Sequence, residues 1–97
     1  MSGIPIGHEE EGHRGGFFFE EGGKRLGEMT YSRVNEALVI IDHTEVDPSL
    51  GGRGIGRKLI DAAVAWAREN NTKIMATCPF ASAQLAKDPS IRDVWAG

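Results

Sequence analysis

The sequence predicts a mixed α+β (α/β) fold in which antiparallel strands precede a strand, turn, helix and parallel strand. Three observations carry this expectation. The β-prone run Phe17-Phe18-Phe19 is followed by Glu21-Gly22-Gly23-Lys24, which has the composition of a tight hairpin turn. A continuous apolar segment, Ala37-Leu38-Val39-Ile40-Ile41, leads toward a glycine-rich turn. Beyond that turn Ile55, Leu59, Ile60, Ala63, Val64 and Ala67 recur at spacings of three and four, which makes one apolar face of a helix.

Taken in order, residues 1–15 read as a flexible, solvated lead-in and residues 16–97 as a single domain. The lead-in contains His8, Glu9, Glu10, Glu11 and His13, which are metal-ligand types, but among several glycines and without a fixed helical spacing they indicate no metal site. The first strand holds Phe17 to Phe19. A second follows from Lys24 to Arg33, with Leu26, Met29 and Tyr31 among polar residues, and Asn35-Glu36 turns the chain again. The third begins at Ala37, and its unbroken apolar run is expected to be buried on both faces in mid-sheet. In its extension His43 and Glu45 share one face and Thr44 and Val46 the other, because side chains alternate along a strand.

The helix runs to about Asn70, where Asn70-Asn71 stops it, and Trp66 flanks its apolar face as a core residue. Lys73-Ile74-Met75-Ala76-Thr77 then forms a strand parallel to the third, because a helical crossover joins them. Pro79 ends that strand. Phe80 to Lys87 forms a short helix closed by Asp88-Pro89, before a tail with Val94 and Trp95.

Length and charge narrow the function classes. With 97 residues the chain builds one modest core and has no room for a separate substrate domain. A formal net charge of −3 argues against a nucleic-acid partner, which calls for a basic face. No apolar run approaches the roughly 18 to 20 residues of a membrane span. Met1 to Gly7 has neither the basic nor the apolar region of a secretory signal, so the expected location is the cytoplasm. The single cysteine, Cys78, forbids an internal disulfide and is too few for a structural zinc site, which leaves it free for chemistry.

The segment Asp47-Pro48-Ser49-Leu50-Gly51-Gly52-Arg53-Gly54-Ile55-Gly56-Arg57-Lys58 joins strand to helix through four glycines and three cations. Glycines let backbone N–H groups approach an anion, and the first helical turn adds unpaired donors and a positive dipole end. Two common phosphate motifs are excluded. No register gives the dinucleotide fingerprint, since Arg57 follows Gly52 and Gly54 where a third glycine is needed. Gly51 and Gly56 have Walker A spacing, but Arg57-Lys58 stands where Lys and Ser or Thr are required. The alternative to phosphate binding is a glycine-rich turn with a solvated helix start.

The strand, the Gly51-x-x-Gly54-x-Gly56 turn and the helix together resemble the acetyl-CoA site of the GNAT-type N-acetyltransferases. Gly51 stands where that signature has Arg or Gln, and Arg53 supplies charge in the same loop. A narrower resemblance, to a small stand-alone GNAT-like subfamily, rests on His43-Thr44-Glu45-Val46, the glycine turn and Cys78-Pro79-Phe80, with Pro89, Asp93 and Val94 near the end. It implies a shortened GNAT sheet without the long N-terminal helical region of larger members. The acceptor site is then open, or completed by a partner or a second copy.

The resemblance further implies two parallel strands that splay apart after Val46 and Thr77, with the pantetheine arm of acetyl-CoA between them, bonded to the Val46 backbone. Gly52, Arg53, Gly54, Ile55, Gly56 and Arg57 would hold the pyrophosphate, and Lys58 faces either the nucleotide phosphates or solvent. Acetyl transfer to an amine needs a deprotonated amine, a polarised carbonyl and a protonated leaving thiolate. His43 is a candidate base, or a strand histidine bonded to backbone. Glu45 shares its face and is a base, an amine-orienting group or an exposed carboxylate. Cys78 would attack the thioester, protonate the leaving thiolate, or serve as a small buried hydrophobe. The function implied is an acetyl-CoA-dependent N-acetyltransferase with an unidentified amine acceptor and no metal. The alternatives are a CoA-binding or acyl-CoA-sensing module and a nucleotide-phosphate-binding protein without CoA.

Overall fold

A computed structural model describes residues 6–50, 52 and 54–96. Five strands form one sheet in sequence order: β1 (Gly7–Glu11), β2 (Arg14–Glu21), β3 (Lys24–Asn35), β4 (Leu38–Val46) and β5 (Lys73–Ala76). The first three pairings are antiparallel and the last, β4 with β5, is parallel. A short 3-10 turn, Pro48–Leu50, leads to helix α1 (Ile55–Glu69), which makes the crossover to β5. Helix α2 (Pro79–Lys87) and a second 3-10 segment, Pro89–Val94, complete the chain. Among the described residues no helix is long and apolar enough to cross a membrane.

Helix α1 buries Ile55, Leu59, Ile60, Ala63, Val64 and Ala67, the face its spacing predicts, against Phe17, Phe19, Met29, Tyr31, Val39 and Ile41 of the sheet. It ends where Asn70 donates its backbone N–H to the carbonyls of Trp66 and Ala67 and Asn71 takes a left-handed φ of 51°. Helix α2 adds Ala81 and Leu85 to the same core.

Two expectations are corrected. The lead-in expected over residues 1–15 is in part a strand: Gly7 to Glu11 pair with Phe18 to Arg14, and β2 begins at Arg14. The physical reason lies in side-chain contacts that sequence distance hides. His8 stacks on Phe17 with ring centroids 4.2 Å apart, meets Trp66 edge-on at 5.1 Å, and bonds Tyr31 Oη through Nε2 at 2.8 Å. Glu10 pairs with Arg33, and Glu9 with Arg25. The run Ala37 to Ile41 was expected to be buried on both faces. Only Val39 and Ile41 are buried; Leu38 and Ile40 are half-exposed, because the helices pack on one face of the sheet.

A register shift in β4 sets up the site. Tyr31 lies opposite Ile41 and Thr30 opposite His43, so Asp42 is an extra residue with no counterpart on β3. This bulge reverses the alternation. Val39 and Ile41 face the helices before it, and Thr44 and Val46 face them after it, opposite the buried Met29 and Gly27 respectively. The Asp42 carboxylate is held on the other face by the hydroxyls of Thr30 (2.6 Å) and Ser32 (3.0 Å) and by Arg14 (2.9 Å).

Candidate active site

The site forms where β4 and β5 part. Their parallel pairing ends at Ile41 and Ala76, and the N–H groups of Thr77 and Cys78 both turn to the Ile41 carbonyl, at 2.9 and 3.4 Å. From Asp42 to Val46 the strand β4 continues, paired with β3 alone among the described residues, while the chain after Ala76 turns away into α2. One edge of β4 therefore faces a cleft of about 490 Å³, within the size range of small-molecule sites. Its walls are Thr44, Val46, Leu50, Gly52, Gly54, Ile55, Gly56, Arg57, Phe80 and Gln84.

The glycine turn shapes one end of this cleft. Gly54 caps α1 in the left-handed region, with φ 70° and ψ 26°, and Gly52 also has a positive φ of 83°. Gly54 has no side chain with which to cap the helix, and among the described residues no other side chain caps it, so the first turn of α1 presents its backbone N–H groups toward the cleft. Gly56 serves a different purpose. A Cβ there would lie 2.8 Å from Cζ of Phe80, so the absence of a side chain lets that ring rest on the first turn of α1. Of the cations expected in this turn, Arg53 lies outside the described residues, as does Gly51. Lys58 is exposed. Arg57 lines the cleft but is held by Asp61, Gln84 and Asp88.

Cys78 precedes α2 and is 7% exposed. Its Sγ lies 3.4 Å from Oγ1 of Thr44, across the gap between the parted strands. Burial pushes the thiol's pKa up, but the Thr44 hydroxyl and the backbone N–H groups of Ala81, Phe80 and Thr44 favour the thiolate, and the balance lies below the ordinary value. Thr44 is the neighbour of Cys78 that the sequence assigns only to a face. Its approach to Cys78 follows from the Asp42 bulge, which a strict alternation of two does not contain.

His43 and Glu45 lie on the sheet face away from the helices, opposite Thr30 and Glu28. Their side chains are 60% and 76% exposed, with His43 Nε2 3.5 Å from Glu45 Oε1. The fold brings Cys78, Thr44, Val46 and the glycine turn together, and sets His43 with Glu45 on the reverse side of the same strand. Gln84 joins the cleft from α2 with no signal in the sequence, and Phe80, which the sequence offers only as the last residue of the Cys78-Pro79-Phe80 triplet, joins it too, because only the packing of α2 against α1 aims them there.

Comparisons with known proteins agree with this fold. Residues 16–94 match the family model of the GCN5-related N-acetyl-transferases. The solution NMR structure of a GCN5-like protein from Staphylococcus aureus is 41% identical, covering 100% of this chain and 92% of that one, with a TM-score of 0.74. Protein NATD1 of Gallus gallus is 31% identical over 61 residues, which is 63% of this chain and just over half, 56%, of the relative's length. The ribosomal-protein-alanine N-acetyltransferase of Brucella melitensis biovar Abortus 2308 shares the fold at 19% identity, with a TM-score of 0.67 over 90% of this chain and 64% of that one. An arrangement of parted strands, glycine turn and helix, found within a sequence that matches the family over most of its length, places this chain in the GCN5-related N-acetyltransferase (GNAT) family.

Proposed function

We propose that the protein transfers an acetyl group from acetyl-CoA to an amine. The observation that carries this reading is the parting of β4 and β5, which opens a one-sided strand edge and the N-terminus of α1 onto one cleft, with the buried Cys78 sulfur directly behind its Thr44 wall. These parts fit the cosubstrate in order. The pantetheine arm, itself rich in amide groups, adds to the free edge of β4 like a missing strand and bonds the Val46 backbone. The pyrophosphate lies over Gly52, Arg53, Gly54, Ile55, Gly56 and Arg57, where backbone donors and the helix dipole favour an anion, with Lys58 toward the outer phosphates. Acetyl-CoA supplies an activated thioester.

The chain's own residues supply the rest. In a relay, the Cys78 thiolate attacks the acetyl carbonyl, the bond to the CoA sulfur breaks, and the departing thiolate takes up a proton. A neutral amine then attacks the S-acetyl-cysteine, the amide forms and the Cys78 thiolate is released. In direct transfer the Cys78 thiol instead gives its proton to the leaving sulfur. His43, with Glu45 beside it, serves as base for an acceptor that approaches from the sheet face opposite the helices. That same separation from the cleft favours a second reading, a CoA-binding or acyl-CoA-sensing module without physiological turnover.

Intact mass after incubation with acetyl-CoA, recorded under native and denaturing conditions, separates these readings. Bound CoA together with one covalent acetyl group, lost in Cys78→Ala, supports the relay. Bound CoA without a covalent acetyl leaves direct transfer or sensing, which amine-dependent CoA release then distinguishes. No bound CoA at saturating ligand overturns the proposal.

A further inference from the structure

Arg57, assigned above to the pyrophosphate, already has three partners. Its Nε donates to Asp61 Oδ1 at 2.9 Å, its Nη1 to Gln84 Oε1 at 3.2 Å, and its Nη2 to Asp88 Oδ2. A guanidinium has five N–H donors, so these contacts leave two, while the two carboxylates more than offset its charge. Asp88 is itself fixed from behind, where Oδ1 accepts from the N–H and Oγ of Ser90 at 2.9 and 2.6 Å. Ser90 and Arg57 together pull its carboxyl down to about 2, so it is ionised at neutral pH. Asp88 follows directly on α2, and Arg57 lies in the first turn of α1, so the pair ties the two helices together at the cleft wall.

We propose that Asp88 tunes the grip on the phosphate-bearing cosubstrate, acting through Arg57: it holds the guanidinium back at the cleft wall and attenuates its charge. The inference rests on the acetyl-CoA reading. Its consequence is a site in which oriented backbone donors do most of the gripping and the spent cosubstrate leaves readily. Arg57 and Asp88 side chains are 36% and 22% exposed, so solvent and salt reach them and the repulsion from Asp88 is felt most at low ionic strength.

The test compares binding of CoA and of pantetheine, which has the same arm without the pyrophosphate, by calorimetry at low and high salt. Asp88→Asn keeps an oxygen for Ser90 but removes the charge. It is expected to bind CoA roughly threefold more tightly at low salt, with a smaller gain at high salt and none for pantetheine. Asp61→Asn moves affinity in the same direction and serves where Asp88→Asn does not fold. Asp93→Asn removes the same charge from the Arg68 pair at the far end of α1 and shows no gain. CoA affinity that is unchanged or weaker in the Asp88 and Asp61 variants, or an equal gain for pantetheine, overturns the attenuating role alone. A wild-type protein that binds no CoA overturns the function on which it rests as well.

Discussion

Cys78 is the residue at which burial and hydrogen bonding pull in opposite directions. Burial favours the neutral thiol, and the Thr44 hydroxyl with nearby backbone N–H groups favours the thiolate. Thr44→Val keeps the shape of the side chain and removes its hydroxyl, so the Cys78 pKa should rise toward its ordinary value. The pH midpoint of thiol alkylation measures this, and an unchanged midpoint would show that Thr44 does not tune the sulfur. The thiol was legible in the sequence, as a lone cysteine at a strand end. Its partner was not, because Thr44 reaches it from 34 residues away across a gap created by tertiary pairing. Arg57 teaches the same point: its charge is plain in the sequence, but Gln84 and Asp88, which decide what that charge can do, arrive on another helix.

At the scale of the element, the turn before α1 depends on backbone geometry that few residues adopt. Gly54 sits at φ 70° as the N-cap of the helix. Gly54→Ala should therefore cost about 1 to 2 kcal/mol, the penalty for an L-residue in the left-handed region. A thermal or urea unfolding series checks this, and a change below a few tenths would contradict the strain argument. Gly56→Ala has a different expected outcome. The substitution improves helix propensity by about 1 kcal/mol, while the new Cβ meets the far end of the Phe80 ring at 2.8 Å. Phe80 is partly exposed and can swing aside. Stability should thus change little and CoA affinity should fall, because the ring is displaced within the cleft. Equal CoA affinity in the variant and the wild type would remove Phe80 from the site. Helix α1 was the most legible element, since its apolar period is local; the bulge in β4 was invisible, since it is defined by register against β3.

For the whole molecule, β1 closes the sheet through His8, and this makes stability depend on pH. Burial lowers the His8 pKa from 6.5, an effect that Arg33 reinforces and Glu10 and Glu9 partly oppose. The folded state then binds fewer protons than the unfolded chain between the two pKa values, so this contribution is present above pH 6.5 and is lost as pH falls through the folded value. His8→Phe should keep the stacking on Phe17 and flatten this part of the curve. Thermal midpoints between about pH 7.5 and 5.5 report it, and an identical slope in the variant would remove His8 as its source. The carboxylates of Glu9, Glu10, Asp42, Asp88 and Asp93 are all held below their ordinary values, so a further loss follows at more acid pH, as those groups protonate.

The sequence by itself determined the mixed class, the α1 face, the parallel crossover to β5 and the glycine turn, because each rests on a local period, a breaker or a short-range conformational demand. Tertiary structure alone decided the rest. It made Gly7 to Glu11 a strand by stacking His8 among rings from β2, β3 and α1, and it exposed Leu38 and Ile40 by leaving one sheet face uncovered. It also sent Thr44 to Cys78 and His43 to the opposite face, through one unpaired residue at Asp42. Pairing register and helix packing are agreements between distant segments, so no window of neighbouring residues encodes them.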